Sequence, residues 1–410
     1  MATTPEVRPA AYEDVWRDAT PHVLAALLRR YGDLETAQDA VQEALLAAAR
    51  QWPMDGTPAD PRAWLVRVAS RRLVDAWRSD TARTAREEAT WRAEPVPPGP
   101  ASERDDSLAL LLLCCHPALS RPSQVALTLR SVSGLSTDTI ARAFLVPQST
   151  MAQRLSRARA RLREVGAPFA VPPPAELPDR VVAVAQVLYL VFTEGHTATS
   201  GTGLTDVSLA EEAIRLTRRL HALLPGESEV TGLLALMLLT HARRAARTAP
   251  DGALVPLAEQ DRTQWDRALA TEGVALVEAA LPSGPVGPYQ LQAAIAAVHA
   301  DAVTPAETDW AQVVALYDML ATLSPSPVVS LNRAVAVAET EGAESALALV
   351  GPLLDEPALR RQHRVHAVHG HLLDRLGRAD EARAAYAEAA RLATSVPEQR
   401  YLQARAASGT

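Results

Sequence analysis

The sequence contains no lysine: all of its 41 basic residues are arginine. A single arginine is therefore weak information here, and only clusters of defined geometry point to guanidinium chemistry. Cysteine is almost absent. The two that occur, Cys114 and Cys115, are sequence neighbours that project about 100° apart on a helix, which suits neither a routine disulfide nor a metal cage. They read as small buried residues in a reducing compartment. Aromatic residues make up only 4% of the chain. No apolar run reaches the ~18 residues of a membrane span, and the start, MATTPEVRPAAYEDVW, lacks the basic and apolar segments of a signal peptide. A soluble, cytoplasmic protein without a membrane partner is expected.

Alternating β-branched runs bounded by turn pairs are also scarce, whereas helical spacing recurs throughout, so the fold class expected is all-α. At 410 residues the chain exceeds what one core supports, and several domains follow. Two proline-rich stretches divide it. Residues 81–106 carry AEPVPPGPASERDD, and residues 166–178 carry GAPFAVPPPAELP; both are too rich in proline to continue a helix. The expected organisation is a helical unit at 1–80, a linker at 81–106, a second unit at 107–165, a stiff linker at 166–178 and a large helical region at 179–410. Within the last, HAVHGHLLDRLGRADEARAAYAEAARLATS (366–395) sets Gly370, Gly377, Ala382 and Ala389 where two antiparallel helices pack closely, with Tyr386 as filler. It resembles a tetratricopeptide repeat, and PVVSLNRAVAVAETEGAESALALV (327–350) resembles a degenerate neighbour. Such repeats need stacked partners, so a helical array is expected.

The net charge is −7, yet residues 144–163, FLVPQSTMAQRLSRARARLR, hold five arginines and no acid. Upstream, GLSTDTIARAF (134–144) offers Ser136 as a cap and then a short helix with Ile140 and Ala141 facing inward. A turn over 144–147 leads to a second helix. On it Met151, Leu155, Ala158 and Leu162 fall within an arc of about 60°, while Thr150, Gln153, Arg154, Arg157 and Arg161 occupy a separate arc of about 100°. An apolar stripe backing a cationic face suits insertion into the major groove, where Arg and Gln bond base edges and other arginines hold phosphates. The competing reading is a solvated face in an arginine-rich protein. The lack of acidic i,i+4 partners and the preceding helix and turn argue against it.

The first unit has a different charge pattern. In LETAQDAVQEALLAAAR (34–50), Ala37, Val41, Ala44, Leu45 and Ala48 share one side, and Glu35, Asp39, Gln42 and Glu43 the other. An acidic stripe repels DNA and must face water or a basic protein surface. After PADP (58–61), the helix RAWLVRVASRRLVDAWR (62–78) sets Arg67, Arg71 and Arg78 within about 40° of one another, flanked by Trp64. Cations beside aromatic rings suit a separated DNA strand, although Trp64 and Trp77 also fit a core.

Together, LETAQDAVQEALLAAARQWP with PRAWLVRVASRRLVDAWR resembles region 2 of sigma-70-type factors of the extracytoplasmic-function (ECF) subfamily. LALLLLCCHPALSRPSQVALTLRSVSGLSTDTIARAFLVPQSTMAQRLSRARARLRE resembles their region 4. The order, the short linker and the missing region 3 fit that subfamily, and the chain from Arg180 onward is similar to the large extension of a subgroup ending in repeat-like helices. The resemblance implies that Glu35, Asp39, Gln42 and Glu43 dock on the β′ clamp of core RNA polymerase. It implies that the helix carrying Trp64, Arg67, Arg71 and Arg78 captures the melted minus-10 strand. It further implies that Gln148, Ser149, Thr150, Gln153, Arg154, Arg157 and Arg161 contact the minus-35 promoter DNA while that unit packs on the β flap. No catalytic residue, cofactor or metal is implied, and the extension is expected to regulate or assist, through a protein or a ligand.

Two alternatives compete. One is a stand-alone helix-turn-helix regulator with a helical sensor domain. The other is an enzyme in 180–410, for which the histidines at 363, 366, 369 and 371 and the segment from Glu194 to His196 are the candidates. The four histidines spread around their helix without an HExxH pattern, and the second segment lacks the features of a P-loop.

Overall fold

The computed structural model describes residues 12–84, 106–144, 146–196, 207–250 and 252–407. Among them are eighteen α-helices and no strand pairing beyond an isolated bridge between Thr248 and Leu254. This is the all-α class that the helical periodicity implies. The chain divides into two compact units, 1–187 and 188–410.

The first unit holds α1 (Glu13–Tyr31), α2 (Leu34–Asp55), α3 (Pro61–Thr84), α4 (Ser107–Cys114), α5 (Arg121–Ser131), α6 (Thr137–Ala143), α7 (Gln148–Glu164) and the start of α8 (Leu177–His196). Gly32, with φ of +76°, ends α1 in a left-handed turn that few other residues adopt without strain. Asp33 then caps α2 by accepting from the Thr36 amide at 3.0 Å. The apolar side of α2 is buried as its spacing requires, through Ala37, Val41, Ala44, Ala48 and Trp52, whereas Leu45 is only partly covered. α3 runs on to Thr84, past the start of the proline-rich stretch. Cys114 and Cys115 are fully buried free thiols, and burial pushes Cys115 up to about 12, which leaves both unreactive. α8 starts at Leu177, just beyond the triple proline. Its first half belongs to this unit, where Arg180 donates to the Leu112 carbonyl at 2.8 Å and Arg121 to that of Ala183 at 3.2 Å.

The second unit takes the rest of α8, then α9 (Val207–Leu223), α10 (Ser228–Ala242), α11 (Arg267–Ala280), α12 (Pro288–Asp301), α13 (Trp310–Leu323), α14 (Pro327–Thr340), α15 (Ala343–Val350), α16 (His363–Arg375), α17 (Ala379–Leu392) and α18 (Val396–Ala407). Small residues let neighbouring helices approach closely. A Cβ on Gly232 of α10 would stand 2.7 Å from Gln290 of α12, and one on Gly273 of α11 2.6 Å from Leu239 of α10. The two repeat-like segments form the helix pairs α14/α15 and α16/α17. In the second pair Tyr386 packs against Gly370, and Ala382 and Ala389 are buried as the repeat pattern requires.

Candidate functional site

Ser136 accepts from the Thr139 amide at 3.0 Å and starts α6, so the cap legible in the sequence is present. α7 follows after the turn, with Leu145 outside the described residues. Met151, Leu155, Ala158 and Leu162 are all buried. Gln148, Ser149, Thr150, Gln153, Arg157 and Arg161 are exposed, and Arg154 is half-buried. One acid does reach this face, because Arg161 pairs with Glu164 at 2.8 Å. The exposed positions of α7 therefore form a polar, cationic surface on a helix held from behind by its apolar stripe, which is the arrangement a groove-reading helix needs.

On α3, Arg67 and Arg71 are exposed on one side, while the Arg78 side chain lies outside the described residues. Trp64 packs edge-on against Trp52 at 5.6 Å and is half-buried. It is thus part of an aromatic group with Tyr12 and Trp16, and its packing ties α3 to α2, leaving Arg67 and Arg71 exposed. On α2, Asp39 and Glu43 are exposed and Gln42 is half-exposed.

Glu35 differs from the rest of its stripe. Arg159 of α7 reaches it at 3.2 Å and Arg163 at 2.8 Å, and Arg163 also lies 3.6 Å from Asp33. Beside these pairs, Gln38 is buried: it donates to Ser131 at 2.7 Å and accepts from Arg159 at 3.0 Å. The basic surface that the acidic stripe requires is thus partly supplied by the same chain. Gln38, Arg159 and Arg163 were not legible as a site. The available signal was a glutamine on the apolar side of α2 and two arginines off both the apolar and the groove-facing arcs of α7.

In the second unit, His363 lies 3.4 Å from Glu398, and His366 contacts the Arg360 carbonyl at 2.9 Å. Among the described residues no group of three or more His, Cys, Asp or Glu side chains is placed to hold a metal. Two neighbouring cavities, of about 370 and 330 Å3, share His363, Arg364 and Glu398. Burial opposes the Glu398 charge, yet the His363 bond with Arg364 and Arg247 nearby holds its carboxyl below the usual range. Glu194 and His196 line the first cavity. Burial, with Arg247 and Arg243 close by, pushes His196 down to about 2, so the imidazole is neutral and Arg247 donates to its carbonyl at 2.5 Å. This suits a helix end held in place better than a proton-transfer group.

Comparison with known proteins matches three successive parts of the chain. Residues 15–83 match the family described as Sigma-70 region 2, residues 109–162 match Sigma-70, region 4, and residues 180–281 match a family of unknown function, DUF6596. A protein of Rhizobium meliloti (strain 1021), described as uncharacterized, is 45% identical over 403 residues, covering 94% of this chain and 92% of that one. The probable ECF RNA polymerase sigma factor SigI of Mycobacterium tuberculosis is 31% identical over 156 residues, or 36% of this chain and 53% of that protein. The ECF RNA polymerase sigma factor SigJ of the same species is 40% identical over 79 residues, 19% of this chain and 24% of the other. Two sigma regions in this order, followed by a long helical extension, place the chain in the ECF subfamily of the sigma-70 family.

Proposed function

We propose that the protein binds core RNA polymerase and directs it to a subset of promoters. The carrying observation is the separation of charge within the first unit: an acidic face on α2 and exposed arginine faces on α3 and α7, each backed by an apolar stripe. In this reading Asp39, Gln42, Glu43 and, once exposed, Glu35 meet the β′ clamp. Arg67, Arg71 and Arg78 follow the non-template strand of the minus-10 element. The exposed face of α7 reads the minus-35 element while its unit rests on the β flap. Phosphate contacts supply affinity and base-edge contacts supply sequence preference. The protein itself contributes no catalytic group, because bond formation belongs to the polymerase.

The second unit has a regulating or assisting role in this reading. Its adjoining cavities and repeat-like helix pairs support reception of a small ligand or a protein segment there.

The test is run-off transcription by core polymerase on genomic promoter fragments, with and without the protein. Specific transcripts that disappear when Asp39 and Glu43 are changed to arginine are the expected result. Sequence-specific duplex binding with neither transcripts nor association with core would instead favour a stand-alone helix-turn-helix regulator.

A further inference from the structure

We propose that the C-terminal half of α7 is an intrachain partner of the acidic face of α2, and that this clasp must open before core polymerase can occupy the whole of that face. The inference rests on the polymerase reading of α2. Its geometric basis is the division of α7 into separate faces. Arg159 and Arg163 lie about 40° apart around the helix and about 160° from the pair Arg157 and Arg161. One pair binds α2, while the other points away from it. The clasp therefore leaves the groove-reading face open and covers a protein-docking group, Glu35.

Three features make the contact specific. Glu35 receives both arginines, at 3.2 and 2.8 Å. Gln38 is buried between Ser131 and Arg159 with both ends of its amide bonded, at 2.7 and 3.0 Å. Behind them α1 meets the turn before α6, where a Cβ on Gly134 would lie 3.5 Å from the Thr20 methyl. The outer ion pair is the readily reversible part. Arg163 and Glu35 remain 59% and 41% exposed, so their pair is screened and water takes over both charges on opening. Polar contacts of this kind characterise domain interfaces that move. Asp39 and Glu43 stay exposed in the closed form. They offer polymerase a first hold from which it can displace Arg159 and Arg163.

The test uses the full chain with Arg159→Glu and Arg163→Glu, two residues outside the DNA and polymerase contacts named above. Dyes at Arg72→Cys and Ser156→Cys, both exposed, report the separation of α3 and α7; the native thiols are buried and do not compete. The expected result is a larger separation and core binding tightened roughly threefold to tenfold, as the loss of one or two partly exposed ion pairs implies. Adding Glu35→Arg should restore the short separation. In the dye-labelled protein without the charge substitutions, raising the salt concentration should lengthen it, which tests the clasp even if the charge variants fold poorly. Unchanged separation in both experiments overturns the clasp. An opened clasp with unchanged core affinity overturns the gating alone. An opened clasp where neither protein binds core overturns the polymerase reading of α2, and the gating with it.

Discussion

Arg154 and Arg157 stand on the side of α7 that points away from α2, and their proposed roles are separable by salt. An arginine that holds a phosphate weakens binding uniformly when replaced and lowers the salt slope by about one, whereas one that reads a base edge costs about 1–3 kcal/mol and relaxes sequence preference at its position. Arg154→Ala and Arg157→Ala should each weaken promoter-duplex binding, and titrations at several salt concentrations will assign each side chain to one class. The histidines of the second unit predict a pH dependence. His196 is pushed down to about 2 and His299 to about 4, in each case first by burial and then by nearby arginines. An unfolded histidine takes up its proton near pH 6.5, so below that pH the unfolded chain binds more protons than the folded one. Stability should therefore fall as pH drops, by up to about 1.4 kcal/mol per unit for each histidine. Thermal melts between pH 7.5 and 5 check this, and His196→Gln should flatten the dependence.

At the scale of elements, helices with a marked apolar stripe were legible in the sequence. α7 shows why: its four inward residues recur at helical spacing, and the cap at Ser136 is a local signal. Ser136→Ala should lower the stability of the first unit by about 1 kcal/mol, measured by denaturant unfolding. The α16/α17 pair was legible because close packing demands small residues, and Gly370→Leu should cost about 1–3 kcal/mol by driving a side chain into Tyr386. The stretch between α10 and α11 gave no such signal. It passes through 3-10 turns at 244–247, 257–259 and 262–264, and Arg262 ties it to the His299 carbonyl at 2.8 Å and to Thr308 at 3.1 Å. Those partners are distant in sequence, and no periodicity encodes them.

For the whole molecule, α8 sets where the first unit can be cut. A chain ending at Gly166 lacks Arg180, which bonds the Leu112 carbonyl, and Ala183 and Gln186, which receive Arg121. It should melt several degrees below a chain ending at His196, as a loss of ~1–2 kcal/mol implies for a domain of this size; paired melts of the two chains test it. Truncation at Gly166 would therefore confound loss of the extension with loss of support for α4 and α5.

The sequence by itself determined the helical class, the faces of α2, α3 and α7 and the sign of the charge on each, because side-chain direction on a helix follows from spacing alone. Its resemblance to the two sigma regions carried the functional expectation. Only the tertiary structure decided which charged groups meet. Glu35 is separated from Arg159 and Arg163 by 124 and 128 positions, and the sequence ranked it beside Asp39 and Glu43 as an open acidic group. An ion pair needs opposite charge and proximity; local pattern reveals the charge, and the tertiary fold, which brings α7 within side-chain reach of α2, supplies the proximity.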